Sequence, residues 1–412
     1  MIGKKRNLYE KALKLLTYFP VVVILGARQT GKTTLSKQLR PDWDYFDLEN
    51  IGTYSQISQD PELFFKQYGR HIILDEAQML PDIFRTLRGV IDNAREEKGR
   101  FIITGSSSPE LLSHISESLA GRVAIVELGT FKTNERFELG LSPFYTIFQQ
   151  TLERDALNFK EKTALLTLDQ VHTHWVYGGY PEPILNNSKD FYLLWMENYY
   201  KTYLSRDIGA LFPKLNTINY QRFLMMLAKL SSTIINKSEL ARSIEVSEKS
   251  IRQYIHIAEH TFLWRSLPSY ERDIQKAIVK MPKGYVRDSG LLHYLLNIDN
   301  AKQLYANPVV GHSFEAFVID EIIKGIEASP LTNWHANYYR TRAGAEVDLI
   351  LQGSFGVLPI EIKYGVYTPI KQLRSLETFV KEQQLPFGLL INQSDRPMWL
   401  SESVYQLPVT YL

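Results

Sequence analysis

Three places in the sequence combine residue types at spacings that can do chemistry. The first is Gly26-Ala27-Arg28-Gln29-Thr30-Gly31-Lys32-Thr33-Thr34, which fits the P-loop pattern G-x-x-x-x-G-K-[S/T] from Gly26 to Thr33. Glycines let such a turn wrap a phosphate closely, because backbone N–H groups must point inward with no Cβ in the way. At these offsets Lys32 reaches the β- and γ-phosphates of ATP, and the Thr33 hydroxyl is a Mg²⁺ ligand. The second is the acid pair Asp75-Glu76, which ends the apolar run Ile72-Ile73-Leu74. In a Walker B strand of this kind Asp75 holds Mg²⁺ through its water shell, and Glu76 is the catalytic group that polarises the attacking water. The third is Asp348, followed by Glu361-x-Lys363. Two carboxylates there can hold a divalent metal, and the catalytic lysine can polarise water or stabilise charge at phosphorus. Glu315, on a preceding helix, fits as a supporting metal ligand.

Each set needs elements to position it. The run Val21-Val22-Val23-Ile24-Leu25 is an apolar, β-branched strand feeding the P-loop, and residues 33–39 form an amphipathic helix after it. Residues 7–18 read as a helix with Leu8, Ala12, Leu15 and Leu16 on one stripe. Residues 44–49 read as a short strand interposed between the P-loop and the acid pair, and residues 61–68 as helical. Phe101-Ile102-Ile103-Thr104-Gly105-Ser106-Ser107-Ser108 is another apolar strand, with Thr104 or Ser106 as the γ-phosphate sensor. Leu119-Ala120-Gly121-Arg122 leads into a strand at 123–128. Arg122 is either a charge-stabilising finger, in cis or across the subunit boundary of a homo-oligomer, or an ordinary surface arginine. Alternating strands and helices predict an α/β domain with a mostly parallel sheet and flanking helices over residues 1–140.

Residues 141–300 turn helical and aromatic-rich, with a turn at Gly178-Gly179-Tyr180-Pro181-Glu182-Pro183. Trp195, Tyr199, Tyr203 and Ile208 stand at helical spacing and read as core. Arg206-Asp207 read as a mutual pair or a nucleotide contact. Residues 237–255 carry a helix-turn-helix pattern of the winged-helix kind, with Ser238 and Ser247 as N-caps. Its packed seam is Leu240, Ala241, Ile244, Ile251 and Ile255. If the second helix reads DNA, Lys249, Arg252 and Gln253 face the groove. Glu245 and Glu248, which flank the turn, equally suit a helix pair used for protein contact or as a spacer.

Residues 301–412 hold the third set. A helix at 312–325 carries Phe314, Phe317, Val318 and Ile322 on its apolar stripe, and a strand follows near 338–341. Strands at 345–351 and 357–363 form a hairpin around Gly353-Ser354-Phe355-Gly356. A helix with Leu373, Leu376, Phe379 and Val380, then a buried strand at 387–391, close the unit. Strand period two puts Glu361 and Lys363 on one face and Ile360 and Ile362 on the other, and Asp348 can share the first. The order αβββαβ resembles the restriction-endonuclease-like α/β core, and Asp348…Glu361-x-Lys363 its PD-(D/E)XK motif, with Val347 where that motif has proline. The competing reading is a hairpin with a surface cluster of acids and lysine.

Composition narrows the classes. With 412 residues, 44% hydrophobic and 22% charged, the chain has material for two to three globular domains. A net charge of +2 neither demands nor excludes a nucleic-acid partner. The absence of cysteine excludes disulfides, thiolate metal sites and cysteine nucleophiles. Lys4, Lys5 and Arg6 before the apolar stretch 19–25 loosely mimic a secretory signal, but that stretch is the P-loop strand. No other apolar run approaches the ~20 residues of a membrane helix, so a cytoplasmic protein without a membrane partner is expected.

As a whole the chain resembles prokaryotic AAA-type ATPases that carry a C-terminal domain of unknown function. The resemblance rests on the P-loop residues 26–34, on Ile72-Ile73-Leu74-Asp75-Glu76-Ala77-Gln78, on Leu119-Ala120-Gly121-Arg122, on Gly178-Gly179-Tyr180-Pro181 and on Gly344-Ala345-Glu346-Val347-Asp348. It spans nearly the whole chain and implies ATP binding and a nuclease-like terminal domain. The expected function is Mg-dependent ATP hydrolysis whose nucleotide state controls a nuclease-like module that binds DNA or another nucleic acid. The alternative is an ATP-dependent DNA-binding or signalling switch with an inert nuclease-like domain.

Overall fold

In the computed structural model, residues 3–106, 109–186, 188–209, 212–271 and 281–412 are described. Internal contacts divide the chain into two units. One is residues 1–131 with 180–182 and 260–262; the other is 132–179, 183–259 and 263–412.

The first unit is built on a parallel sheet of β1 (Val21–Gly26), β2 (Asp44–Asp47), β3 (Ile72–Asp75), β4 (Phe101–Ser106) and β5 (Val123–Glu127), in the order β2-β3-β4-β1-β5. Both faces are covered, which is why β1 is apolar without alternation. Val21, Val23 and Leu25 share one face with Leu74, Ile103 and Phe84. Val22 and Ile24 share the other with Leu8 and Leu16 of the helix Leu8–Tyr18 and Leu35 of the helix Lys32–Leu39. Each fully buried aliphatic side chain stabilises the sheet by roughly 1.5–3 kcal/mol. In register, Gly26 pairs with Ser106 and Asp47 with Asp75, so the chemistry-bearing residues collect at the carboxyl ends of the strands. The strand between β1 and β3 in space is β4, whereas β2, which lies between them in sequence, is at the edge. Ser107 and Ser108 lie outside the described residues.

The second unit contains two sheets. The smaller joins β6 (Thr233–Ile234), β7 (Trp264–Leu267) and β8 (Lys283–Val286) as an antiparallel β6-β8-β7. It is associated in sequence with the helices Lys237–Ser243 and Glu248–His260. Asn236, not Ser238, caps the first of these, its side chain accepting from the Glu239 N–H at 3.2 Å. Ser238 therefore sits one residue inside the helix. Ser247 caps the second as expected, accepting from the Ser250 N–H at 3.1 Å.

The larger sheet comprises β9 (His335–Arg340), β10 (Glu346–Gly353), β11 (Gly356–Ile362), β12 (Gly388–Asn392), β13 (Met398–Trp399) and β14 (Val404–Pro408), in the order β13-β14-β12-β11-β10-β9. β9, β10 and β11 are antiparallel, while β11, β12 and β14 run parallel. The helix Val310–Ala328 precedes β9, and the helix Arg374–Glu382 joins β11 to β12. One core draws Phe144, Phe148 and Trp175 together with Phe314, Leu349, Ile360, Leu389 and Leu407, so the middle of the chain shares packing with the C-terminal sheet. Trp195, Tyr199, Tyr203 and Ile208 are all buried. The side chains of Arg206 and Asp207 lie outside the described set. Among the described residues no helix is long and apolar enough to cross a membrane.

Candidate functional site

The P-loop turns sharply between β1 and the helix Lys32–Leu39. Gly31 holds φ 92°, and a Cβ on Gly26 would lie 2.2 Å from the Leu128 carbonyl oxygen, so neither position accepts a side chain without a shift of backbone. Gln29 is also left-handed, at φ 60°. Within the loop, the Thr30 hydroxyl donates to the Ala27 carbonyl at 2.9 Å, and Arg28 pairs with Glu49 at 3.2 Å. Thr34 is exposed on the helix. Lys32 is buried; its ammonium donates to the Ala27 carbonyl at 3.0 Å and lies 3.8 Å from Glu76.

Sheet order brings the acid pair against this loop. Asp75 accepts from the Thr33 hydroxyl at 2.7 Å, from the Tyr45 hydroxyl at 2.6 Å, and from the hydroxyl of Thr104 on its other oxygen. A threonine hydroxyl touching a carboxylate is a hard-oxygen donor set. It suits Mg²⁺, which keeps several waters and takes one or two protein oxygens beside nucleotide phosphates. Glu76 is held in the left-handed region at φ 53°. Its carboxylate accepts from the Gln78 amide at 2.5 Å, the Ser106 hydroxyl at 3.1 Å and the Ser106 N–H at 3.3 Å. Burial alone would raise its pKa, but Lys32, the Gln78 amide, Arg28 and the Ser106 N–H outweigh that and hold it below the ordinary glutamate value. It is therefore an anion at neutral pH, poised beside Lys32. Tyr45 is pushed upward by burial and by its bond to Asp75, so it stays a neutral donor.

Arg122 does not join this site. It precedes β5, whose Val123 is level with Val21 at the start of β1, while the P-loop follows the other end of β1. Five residues of strand, ~17 Å, separate the two levels. Arg122 instead makes a two-pronged pair with Asp92 at 2.6 and 2.9 Å, so the reading as a finger in cis is corrected by strand register.

Two contributors were not visible in the motif. Tyr45, on β2, reaches Asp75 from across a strand pair. Arg6 is buried and donates to the carbonyls of Thr30 at 2.8 Å, Gly129 at 2.7 Å and Thr130 at 3.3 Å, bracing the P-loop from below. Its only signal in sequence was a basic residue just ahead of an amphipathic helix.

In the second unit the structure gathers Glu315, Asp348, Glu361 and Lys363. Asp348 lies inside a register shift of the β9–β10 ladder, between Val347 and Ile350, and one step beyond the pair Leu349–Ile360 of β10 and β11. From Val347 to Ile350 the ladder takes three steps on β10 for two on β9, the count of a β-bulge. Its Oδ2 accepts from the Ile362 N–H at 2.8 Å. Lys363 is 2.5 Å from Glu361 and 3.9 Å from Asp348. A further residue, Lys283 of β8, stands 2.6 Å from Glu315, 2.7 Å from Glu346 and 3.4 Å from Asp348. Burial first, and the Asp348 charge next, push both Glu315 and Glu361 up to about 8. For Lys283 burial acts downward, but Glu315, Asp348 and Glu346 overcome it and raise the ammonium. Among the described residues no group of three or more His, Cys, Asp or Glu side chains is arranged to hold a metal ion. The expected ligands are adjacent, but the cations between them are lysines, and this arrangement does not fit a bound divalent ion.

On the helix Glu248–His260, Lys249, Arg252 and Gln253 are exposed while Ile251, Tyr254 and Ile255 are buried. Arg252 also meets Glu248 of its own helix at 3.3 Å. The Gly178-Gly179 turn is held by Asp288, which accepts from the Gly179 N–H at 2.9 Å and caps the helix Ser289–Leu295 through the Leu291 N–H.

Residues 18–137 match the AAA domain family. Residues 168–302 and 310–412 match two domains of unknown function, DUF8612 and DUF4143. The uncharacterized protein Rv2008c of Mycobacterium tuberculosis is 31% identical over 411 residues, covering 99% of this chain and 84% of its own length. The uncharacterized protein Mb2031c of Mycobacterium bovis matches to the same extent, 31% over 411 residues. Among solved structures, the Walker-type ATPase paby2304 of Pyrococcus abyssi is 15% identical, covering 72% of this chain and 100% of its own, with a TM-score of 0.41. The RuvB Holliday junction branch migration motor of Thermotoga maritima is 14% identical, covering 64% and 90%, with a TM-score of 0.31.

Proposed function

The chain belongs to the same family as the mycobacterial protein Rv2008c and carries an N-terminal P-loop AAA domain, and from that premise we propose that it is an ATP-hydrolysing switch. The observation that carries this reading is the meeting of two separate motifs. The Thr33 hydroxyl of the P-loop touches Asp75 at 2.7 Å, and Glu76 next to it stays anionic beside Lys32. P-loop N–H groups and Lys32 bind the phosphates, and Thr33 and Asp75 would hold Mg²⁺, which neutralises phosphate charge when bound. Glu76 orients the attacking water and takes up its proton. The water oxygen bonds to the γ-phosphorus, the bond to the bridging oxygen breaks, and ADP and phosphate are released. Gln78 and Ser106 fix the Glu76 carboxylate, and Thr104 links the two acids by bonding Asp75 and accepting from the Glu76 N–H at 3.3 Å.

The nucleotide state in this reading controls a nucleic-acid-binding module. Support comes from helices Lys237–Ser243 and Glu248–His260 followed by β7 and β8, the order of a winged helix with Lys249, Arg252 and Gln253 outward. The helix–β9–β10–β11–helix–β12 order supports a nuclease-like fold for the C-terminal part. Lys283 among its carboxylates favours the second reading, in which that fold is an inert scaffold. Phosphate release is the test of the ATPase reading. Wild type should turn over ATP, and Lys32→Ala should lose most nucleotide affinity together with turnover. Wild-type affinity in the mutant, measured by calorimetry, would show that the loop is not the nucleotide site.

A further inference from the structure

The carboxylates that this fold would offer to a metal are served by a cation of the chain itself. Lys283 is 3% exposed and opens β8. Its ammonium meets Glu315 of the long helix at 2.6 Å, then Glu346 at 2.7 Å and Asp348 at 3.4 Å, both of β10. On the other side Lys363 meets Glu361 at 2.5 Å, and Asp348 Oδ2 is already bonded to the Ile362 N–H. Both oxygens of Asp348 are thus engaged within the chain. A divalent ion takes carboxylate oxygens at about 2.0–2.6 Å, and an ammonium already at contact distance from three of these carboxylates competes with it by charge and by position.

The backbone that delivers Lys283 is tied down. It pairs with Ile234 of β6 and Leu267 of β7. Just before it, the Met281 carbonyl accepts from the Tyr338 hydroxyl at 2.6 Å, and the Pro282 carbonyl accepts from the Ile235 N–H at 3.1 Å. The stretch after β7 continues along β9: the Tyr338 N–H donates to Pro268 O at 3.0 Å, and the Tyr270 N–H donates to Tyr338 O at 2.6 Å. The small sheet and the large one are therefore joined by backbone at β9 and by charge at Lys283. Of the two Glu361 oxygens, Oε1 is held by Lys363 and Oε2 has no hydrogen-bond partner among the described residues.

We propose that Lys283 is the resident cation of this cluster. Its ammonium takes the place of a divalent ion and fastens β8 to the large sheet as a charged joint. While the joint is closed, the C-terminal module does not take up Mg²⁺ or Mn²⁺. This stands independently of the ATPase reading, since it concerns other residues and is tested without nucleotide.

The experiment is Mn²⁺ titration of the full, nucleotide-free chain, followed by the electron-spin-resonance signal of free Mn²⁺. Wild type and Asp348→Asn should give the same isotherm, because the wild-type chain has no Asp348-dependent site to lose. Lys283→Met keeps the length and removes the charge. It should gain one site with affinity raised at least ~tenfold, the scale on which neighbours tune metal sites, and Asp348→Asn in that background should remove it. Lys283→Arg, which keeps the charge, should behave as wild type. An Asp348-dependent Mn²⁺ site in the wild-type chain would overturn the proposal. So would a folded Lys283→Met that gains none. If Lys283→Met does not fold, the comparison of wild type with Asp348→Asn decides alone.

Discussion

Replacing Arg6 tests how the P-loop is held. The guanidinium makes two short bonds, to the carbonyls of Thr30 at 2.8 Å and Gly129 at 2.7 Å, and one longer bond to Thr130 at 3.3 Å. It also lies 4.7 Å from the Phe131 ring centroid. Arg6→Met keeps much of the packing but removes the donors. A hydrogen bond to a charged group contributes about 1.5–3 kcal/mol net, so taking the low end for the two short bonds gives a loss of about 3 kcal/mol. That is roughly two decades in a local opening equilibrium, since ~1.4 kcal/mol is tenfold. Amide hydrogen exchange across residues 26–33 should accelerate by about that factor if the loop opens locally. Nucleotide Kd should rise only as far as the open loop becomes a substantial fraction of the chain, since apparent Kd scales inversely with the competent fraction. Arg6→Lys should recover only part of the loss, as one point charge cannot reproduce the planar fork. Exchange within a factor of about two of wild type in Arg6→Met would refute the reasoning.

Other changes separate binding from turnover and from nucleic-acid recognition. Thr104→Val keeps shape but deletes the hydroxyl joining Asp75 to the Glu76 N–H. Phosphate release should fall about 10–100-fold while ATP affinity by calorimetry holds, and an equal loss in both would make Thr104 merely structural. Lys249→Ala with Arg252→Ala should weaken DNA binding and flatten its salt dependence, by about one unit of log–log slope for each phosphate no longer neutralised. Identical isotherms across salt would assign the helix Glu248–His260 to protein contact or a spacer.

The P-loop and acid pair were legible because they act through local backbone: the offsets between Gly26, Lys32 and Thr33 are set by one turn and one helix start. The same is true of Glu361 and Lys363, where strand period two alone puts both on one face. What depends on pairing between distant segments was not legible. β2 sits between the motifs in sequence, yet hydrogen bonding inserts β4 between their strands. Arg6 serves carbonyls 24 and 123 positions away, and Lys283 serves Asp348 from 65 positions away. Lys283-Gly284-Tyr285-Val286 is buried at every position, and a lysine inside such a strand demands carboxylate partners. That demand is a signal only once the strand itself is known. β14 was missed for a related reason: Val404–Pro408 is short, contains Gln406 and ends in proline, so its burial comes from its position beside β12. Asn236 displaced Ser238 as cap because either residue satisfies the capping preference, and the backbone chose the earlier one.

The most direct measurement for the central claim is ATP binding and phosphate release by Glu76→Gln, compared in the same preparation. Glutamine keeps the shape that Gln78 and Ser106 hold, but it cannot accept the proton of the attacking water. Binding should stay close to wild type, and single-turnover release should slow by about 10²–10⁴-fold, the usual contribution of a positioned general base. Release at the wild-type rate would contradict the account, because the anion held beside Lys32 would then have no part in hydrolysis.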